Sequence, residues 1–291
     1  FASSNLIFAS NFFKKFNVVC CDEAHLCGAS QLTTIMKRTF GYAHYRFGMS
    51  GTYPKDNTSE FMAIESTTGP KLISVKAKEL MDKGLISKVK IKALLLHYND
   101  SVFAESVYTI KKFGNGKKAY ELEREYAQNS EKRLLFLSKL INKFNNNSMI
   151  LFNNIEYGER IYNYMRSNVL DKDFYYIDGS TPTEKREYIK KQLEITNNRV
   201  KVLISSYGTT ATGLSIKALT NLVMADSYKS AQRVLQSIGR ILRLHGKKEK
   251  AIVFDLVDIF DPSYKNILYN HFISRRDDLY KPQEYPFDEL K

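Results

Sequence analysis

Asp22-Glu23-Ala24-His25 follows directly on a short apolar run, Phe16-Asn17-Val18-Val19-Cys20-Cys21. Adjacent carboxylates at a strand end suit nucleotide hydrolysis. Asp22 can hold Mg²⁺, and Glu23 can orient the attacking water and take its proton. A solvated acidic turn is the bland alternative, but a chance match to four specified residues is rare in a chain of this length.

A second group lies far downstream, in Gln236-Ser237-Ile238-Gly239-Arg240-Ile241-Leu242-Arg243. On a helix, positions 236, 240 and 243 share one face. Guanidinium groups there can stabilise charge developing on a γ-phosphate, as arginine fingers do. A plain basic helix is the competing reading. Two further stretches are weaker by themselves: Ser50-Gly51-Thr52, and the loop from Ser205 to Ser215. The loop's hydroxyls and the backbone amides of glycines such as Gly213 suit phosphate oxygens, either of ATP or of a nucleic-acid backbone.

These residues need elements to place them. Tyr45-Arg46-Phe47-Gly48-Met49-Ser50 reads as a second strand, so Asp22–His25 and Ser50–Thr52 fall just past two strand ends, where open parallel sheets bind ligands. Strand-like runs then alternate with helical segments, the signature of an α/β fold. Val75–Lys83 reads as a short helix stopped by Gly84, and Val89–Tyr98 as a strand. Residues 101–116 are weakly patterned, and one long amphipathic helix fits Lys117–Phe144. Met149–Phe152, Phe174–Ile177, Val200–Ile204, Leu222–Ala225 and Ala251–Leu256 read as strands. Thr181 is a candidate cap for the helix that follows, with Pro182 at its first position and Glu184 completing a capping box. Ser230–Leu244 reads as a helix with a basic end.

The chain has 291 residues, enough for two cores, with 43% hydrophobic and 26% charged residues, which excludes a disordered chain. No apolar run reaches the length of a membrane span, so no membrane partner is expected. A net charge of +13 fits a polyanionic partner. Cys20, Cys21 and Cys27 are expected to be reduced, buried thiols rather than zinc ligands, because adjacent strand residues face opposite ways.

Taken in order and spacing, Asp22–His25, Ser50–Thr52, Gly208–Ser215 and Gln236–Arg243 resemble motifs II, III, V and VI of superfamily 2 helicases. The whole chain resembles the UvsW type of phage DNA helicase, on Lys78-Glu79-Leu80-Met81 with Gly84, on Thr212-Gly213-Leu214-Ser215-Ile216-Lys217, and on Leu235–Arg240 with Leu242-Arg243. The resemblance implies two RecA-like lobes with parallel sheets, the first incomplete. It assigns 1–66 to the first ATPase lobe, 67–130 to a connector, 131–275 to the second lobe with motifs IV to VI, and 276–291 to a tail. It implies ATP and Mg²⁺ as cofactors, DNA rather than RNA as partner, and, for a phage protein, the host cytoplasm as location.

Residue by residue, the resemblance makes Asp22 the Mg²⁺ ligand, Glu23 the catalytic base, and Arg240 and Arg243 the fingers. His25 and Gln236 link the nucleotide site to the coupling residues Ser50, Gly51 and Thr52, and Gly213 lies against the nucleotide. Gly179, in the Asp178–Ser180 turn, and Ser206, Thr209 and Thr210 touch the nucleic-acid backbone. Ser215 stands where many members of the superfamily have Asp. No G-x-x-x-x-G-K-[ST] occurs in the chain, so ATP turnover by these residues alone is expected to be poor. Two rival readings are a nucleic-acid-binding remnant without catalysis and the motor of an ATP-using restriction or nuclease subunit.

Overall fold

The computed structural model describes residues 14–28, 30–51, 53, 54, 56, 58–195, 199–211, 218–228, 234, 237–239, 250–263 and 266–290. The chain divides into two compact units, one ending at Ser74 and the other starting at Val75.

In the first unit, β1 (Val18–Cys21) and β2 (Tyr45–Gly48) pair in parallel, with Val18 opposite Tyr45 and Cys21 opposite Gly48. A 3₁₀ turn at Ala24–Gly28, α1 (Ser30–Arg38) and α2 (Ser59–Thr68) accompany them. Thr58 caps α2 by accepting the Phe61 N–H at 3.2 Å. A small core of Cys21, Ala24, Cys27, Met36 and Ile64 holds this unit. Strand alternation explains the cysteines: Cys21 is buried and its neighbour Cys20 is exposed. The expectation that all three thiols are buried therefore fails at Cys20. Gly48 is needed for close approach, because a Cβ there would lie 2.9 Å from the side chains of Ala24 and Thr68.

The second unit is built on a seven-stranded parallel sheet. Its strands are β3 (Lys88–His97), β4 (Ser148–Phe152), β5 (Lys172–Ile177), β6 (Val200–Ser206), β7 (Asn221–Met224), β8 (Lys250–Ile259) and β9 (Phe287–Leu290). Their order across the sheet is β5-β6-β4-β7-β8-β3-β9. Central β4 is buried along its whole length, as a parallel strand covered on both faces must be. Met149 and Leu151 enter one core cluster and Ile150 and Phe152 the other, so the pleat feeds both faces. The helix α7 (Ile155–Asn168) packs so tightly that a Cβ on Gly158 would meet the Phe152 ring at 2.5 Å.

Several elements differ from the sequence reading. The weakly patterned stretch forms α4 (Ser101–Lys112), capped by Asp100, which accepts the Phe103 N–H at 3.0 Å. The single long helix is two, α5 (Gly116–Asn129) and α6 (Glu131–Asn142). Ser130 parts them: its extended backbone ends α5, and its hydroxyl accepts the Arg133 N–H at the start of α6. A short helix, α3 (Ala77–Asp82), does precede Gly84, whose φ of 66° suits glycine. The capping box at Thr181 does not form. The cap position of α8 (Thr183–Glu194) is Pro182, which makes no side-chain bond, and Thr181 bonds Asp178 instead. The stretch expected to be a connector supplies β3, paired along its length with β8, and the expected tail supplies β9, paired with β3. Among the described residues, no helix is long and apolar enough to cross a membrane.

Candidate functional site

In the first unit, β1 and β2 deliver the acidic turn and the Ser-Gly pair to the same end of their small sheet. The turn is tied across by backbone bonds: Met49 N–H donates to Cys21 O, and Ala24 N–H to Met49 O, both at 2.9 Å. Glu23 takes a left-handed φ of 51°, which a non-glycine residue adopts at a cost. That conformation is held by its own N–H, donated to Asp22 Oδ1 at 2.8 Å.

His25 Nδ1 stands 2.8 Å from Ser50 Oγ and 3.2 Å from Glu23 Oε2. The imidazole is 8% exposed and the Glu23 carboxylate 49%. Burial lowers the His25 pKa and the Glu23 charge partly offsets this, so the ring is neutral near pH 7. A carboxylate only accepts, so the tautomer with the proton on Nδ1 is the one that satisfies Glu23. Behind the turn, Cys21 Sγ and Cys27 Sγ lie 3.5 Å apart. Burial and the bond to Cys27 push the Cys21 thiol up to about 12, which leaves it unreactive.

Mg²⁺ keeps most of its water and takes one or two carboxylates with substrate phosphates. Exposed Asp22, with one oxygen occupied by the Glu23 N–H, fits that demand. Among the described residues, no group of three or more His, Cys, Asp or Glu is placed to hold a metal ion by itself.

In the second unit, the candidate nucleic-acid residues gather at the carboxyl edge of the sheet. Ile177 of β5 pairs with Ser205 of β6, and Phe152 of β4 with Ser206. The loops after β5, β6 and β4 are therefore neighbours. Asp178 Oδ1 accepts from the N–H and hydroxyl of both Ser180 and Thr181, at 2.7–3.0 Å. Burial works to raise the Asp178 pKa, but these four donors outweigh it and hold the carboxyl below its usual range. Arg186 braces the turn from outside, donating to the carbonyls of Asp178, Gly179 and Thr181 at 2.7–3.1 Å. Ser206 Oγ meets Thr209 Oγ1 at 2.8 Å and accepts the Thr209 N–H at 3.2 Å, at the start of the short helix α9 (Tyr207–Ala211). Helix N-termini and hydroxyls at one sheet edge suit phosphate oxygens.

Thr52, Gly213, Gln236, Arg240 and Arg243 lie outside the described residues, as does the side chain of Thr210. Of the helix expected at Ser230–Leu244, Val234 and residues 237–239 are described and are helical. The sequence reading passed over Arg186 and Asp226. The signal for Asp226 was present: it is a polar residue just past an apolar run, as Asp22 and Asp178 are.

Residues 132–245 match the helicase conserved C-terminal domain. The chain is 31% identical over 250 residues to the ATP-dependent DNA helicase uvsW of Enterobacteria phage T4, covering 85% of this chain and 47% of that protein. It spans about half the length of that relative. The crystal structure of T4 UvsW superposes with a TM-score of 0.55 at 25% identity, covering 96% of this chain and 55% of the other. The structure of S. cerevisiae Dbp5 bound to RNA and ADP BeF3 gives 0.53 at 12% identity, covering 94% and 59%. That second likeness speaks for the fold, which is RecA-like α/β. The matched domain, the T4 relative and the parallel sheet agree with the order of the motifs, and the chain belongs to the superfamily 2 helicases.

Proposed function

We propose that the protein is an ATP-dependent DNA helicase or translocase that couples nucleotide hydrolysis to remodelling of duplex or branched DNA. The observation that carries this is the contact of His25 with both Glu23 and Ser50. It joins the candidate base to the second strand end through one neutral imidazole, so a change at either end is felt at the other. ATP with Mg²⁺, when bound, supplies the phosphoryl group transferred to water.

In this reading Asp22 holds the metal, Glu23 positions and deprotonates the water, and Arg240 and Arg243 stabilise charge on the phosphate. Gln236 joins His25 in linking the nucleotide to Ser50, Gly51 and Thr52, and Gly213 approaches the nucleotide through its backbone. Gly179, Ser206, Thr209 and Thr210 grip the nucleic-acid backbone. DNA is favoured over RNA by the T4 relative, and the host cytoplasm follows if the protein is phage-encoded. The 291 residues contain no Walker-type loop, and we expect them alone to hydrolyse ATP poorly. A division into two lobes is supported by the break at Ser74–Val75, with the stretch after it contributing β3 to the second sheet rather than only joining the two.

The decisive experiment is Glu23→Gln in the full-length protein, with ATP binding and DNA-stimulated turnover measured separately. Turnover is expected to fall by about 10²-fold or more while nucleotide binding persists. Near-normal turnover would remove Glu23 from the role of base.

A further inference from the structure

Asp226 follows β7 and is buried. Its Oδ1 and Oδ2 accept from Gln128 Nε2 at 3.1 and 3.0 Å. Oδ2 also takes the backbone N–H of Asn153 at 3.0 Å and of Asn154 at 3.4 Å. The Asp226 carbonyl accepts the Tyr207 hydroxyl at 3.2 Å. One residue therefore binds the end of α5, the loop from β4 to α7, and the first residue of α9.

The sheet makes this junction matter. β4 lies between β6 and β7, with Phe152 opposite Ser206 and Leu151 opposite Met224. Asn153, which is exposed, thus emerges beside the Ser206–Thr209 hydroxyls. A second set of bonds repeats the connection. Arg160 of α7 donates to Gln128 O at 2.8 Å and Asn129 O at 3.2 Å, and pairs with Glu131.

Holding two loop amides with a buried carboxylate is costly, since the charge must leave water. Burial, the largest influence, raises the Asp226 pKa, while the Asn153 amide, the Arg133 charge, Gln128 and the Asn154 amide pull against it. A neutral asparagine would offer a single acceptor oxygen and place an amide donor against other donors. The carboxylate alone can take all of these donors, so its cost is offset by fixing three separate segments relative to one another.

We propose that Asp226 is a positioning residue for nucleic-acid binding: it sets the 153–154 loop and Tyr207 so that the loop and the Ser206–Thr209 hydroxyls form one backbone-binding surface. The inference rests on the reading of Ser206–Thr210 as a nucleic-acid contact. Gln128 is its second anchor, which makes the α5–α6 junction part of the same support.

The test is the affinity of the chain for a single-stranded DNA oligonucleotide, read by fluorescence anisotropy well below the melting midpoint, with amide hydrogen exchange at Asn153 and Asn154. Asp226→Asn is expected to raise Kd by about tenfold, and Gln128→Met by about threefold. Exchange should quicken at 153 and 154 and stay unchanged in β5. A residue that merely stabilises the fold would shift the melting midpoint and leave Kd alone. Should Asp226→Asn fail to fold, Gln128→Met carries the test by itself. Wild-type affinity in both variants, or weakened affinity with unchanged exchange at 153 and 154, overturns the proposal. If Ser206→Ala weakens binding and neither variant does, only the Asp226 inference falls. If the wild-type chain binds no DNA, the reading of the Ser206 loop falls with it.

Discussion

The Ser50 hydroxyl and the Glu23 carboxylate share one partner, the Nδ1 atom of His25, at 2.8 and 3.2 Å. The imidazole is thus held from both strand ends, and its ring is dry enough to stay neutral.

Ser50→Ala removes the contact between the Ser50 hydroxyl and His25 Nδ1 and leaves Glu23 in place. In the full-length protein, DNA-stimulated ATP turnover is expected to fall by roughly five- to tenfold, the rate equivalent of one hydrogen bond of about 1 kcal/mol. Basal nucleotide binding is expected to be unchanged. Titration of ATP against turnover, with and without DNA, separates the two; equal loss of both would show that Ser50 does not couple them.

The His25 titration has a defined sign. Its folded-state pKa is below the ordinary value of 6.5, chiefly through burial, so the unfolded chain takes up the proton first. Stability contributed by the neutral ring is present above about 6.5 and is lost as pH falls through the window below it. His25→Gln should flatten that part of the curve of melting midpoint against pH. An unchanged slope between pH 5 and 7 would contradict the assignment of a depressed pKa.

Gly158 has no room for a side chain, because its Cβ would lie 2.5 Å from the Phe152 ring. Gly158→Ala is expected to destabilise the second unit by about 1–3 kcal/mol through overpacking. Leu151→Ala, deep in the core, is expected to cost about 3 kcal/mol by the opposite route, a cavity. Urea denaturation of each variant reads both, and a neutral Gly158→Ala would mean that the helix can back away.

Binding to nucleic acid should be strongly salt-dependent. For a chain of net charge +13, log Kd is expected to rise linearly with log salt concentration, with a slope near 0.7 per phosphate contacted on a single strand. Ser206→Ala should shift the line upward with little change in slope, since a hydroxyl releases no counterion. A flat salt response would exclude the phosphate backbone as the main contact.

Much of this was legible in the sequence because the physics was local. Met149–Phe152 could be read as a buried strand because every residue is apolar, and Asp22–His25 stood out because chemistry fixed four adjacent types. The break at Ser130 was not legible. The amphipathic pattern continues across it, and the Ser130 cap is backed by tertiary bonds from Arg160 to Gln128 and Asn129 that spacing does not show. Thr181 carried a fair capping signal, yet Asp178 competed for its hydroxyl and won. The position of Asp226 just past an apolar run was legible, but its role was not, because its partners come from 72, 73 and 98 residues away. Spacing along the chain carries no trace of such a contact.

The place of β3 sets the order in which the second unit can be finished. It is the first strand of that unit to be synthesised, and it lies between β8 and β9, the last two, with Lys88 opposite Lys250 and Leu94 opposite Leu290. An emerging chain therefore carries β3 with both edges bare until residues 250–259 are made, and with one edge bare until 287–290 follow. The β4–β7 nucleus can form first, while closure of the sheet waits for β8 and β9 and is slowed by long-range pairing. Premature termination before residue 287 would leave β3 with one open edge, a template for aggregation rather than a slightly shorter helicase.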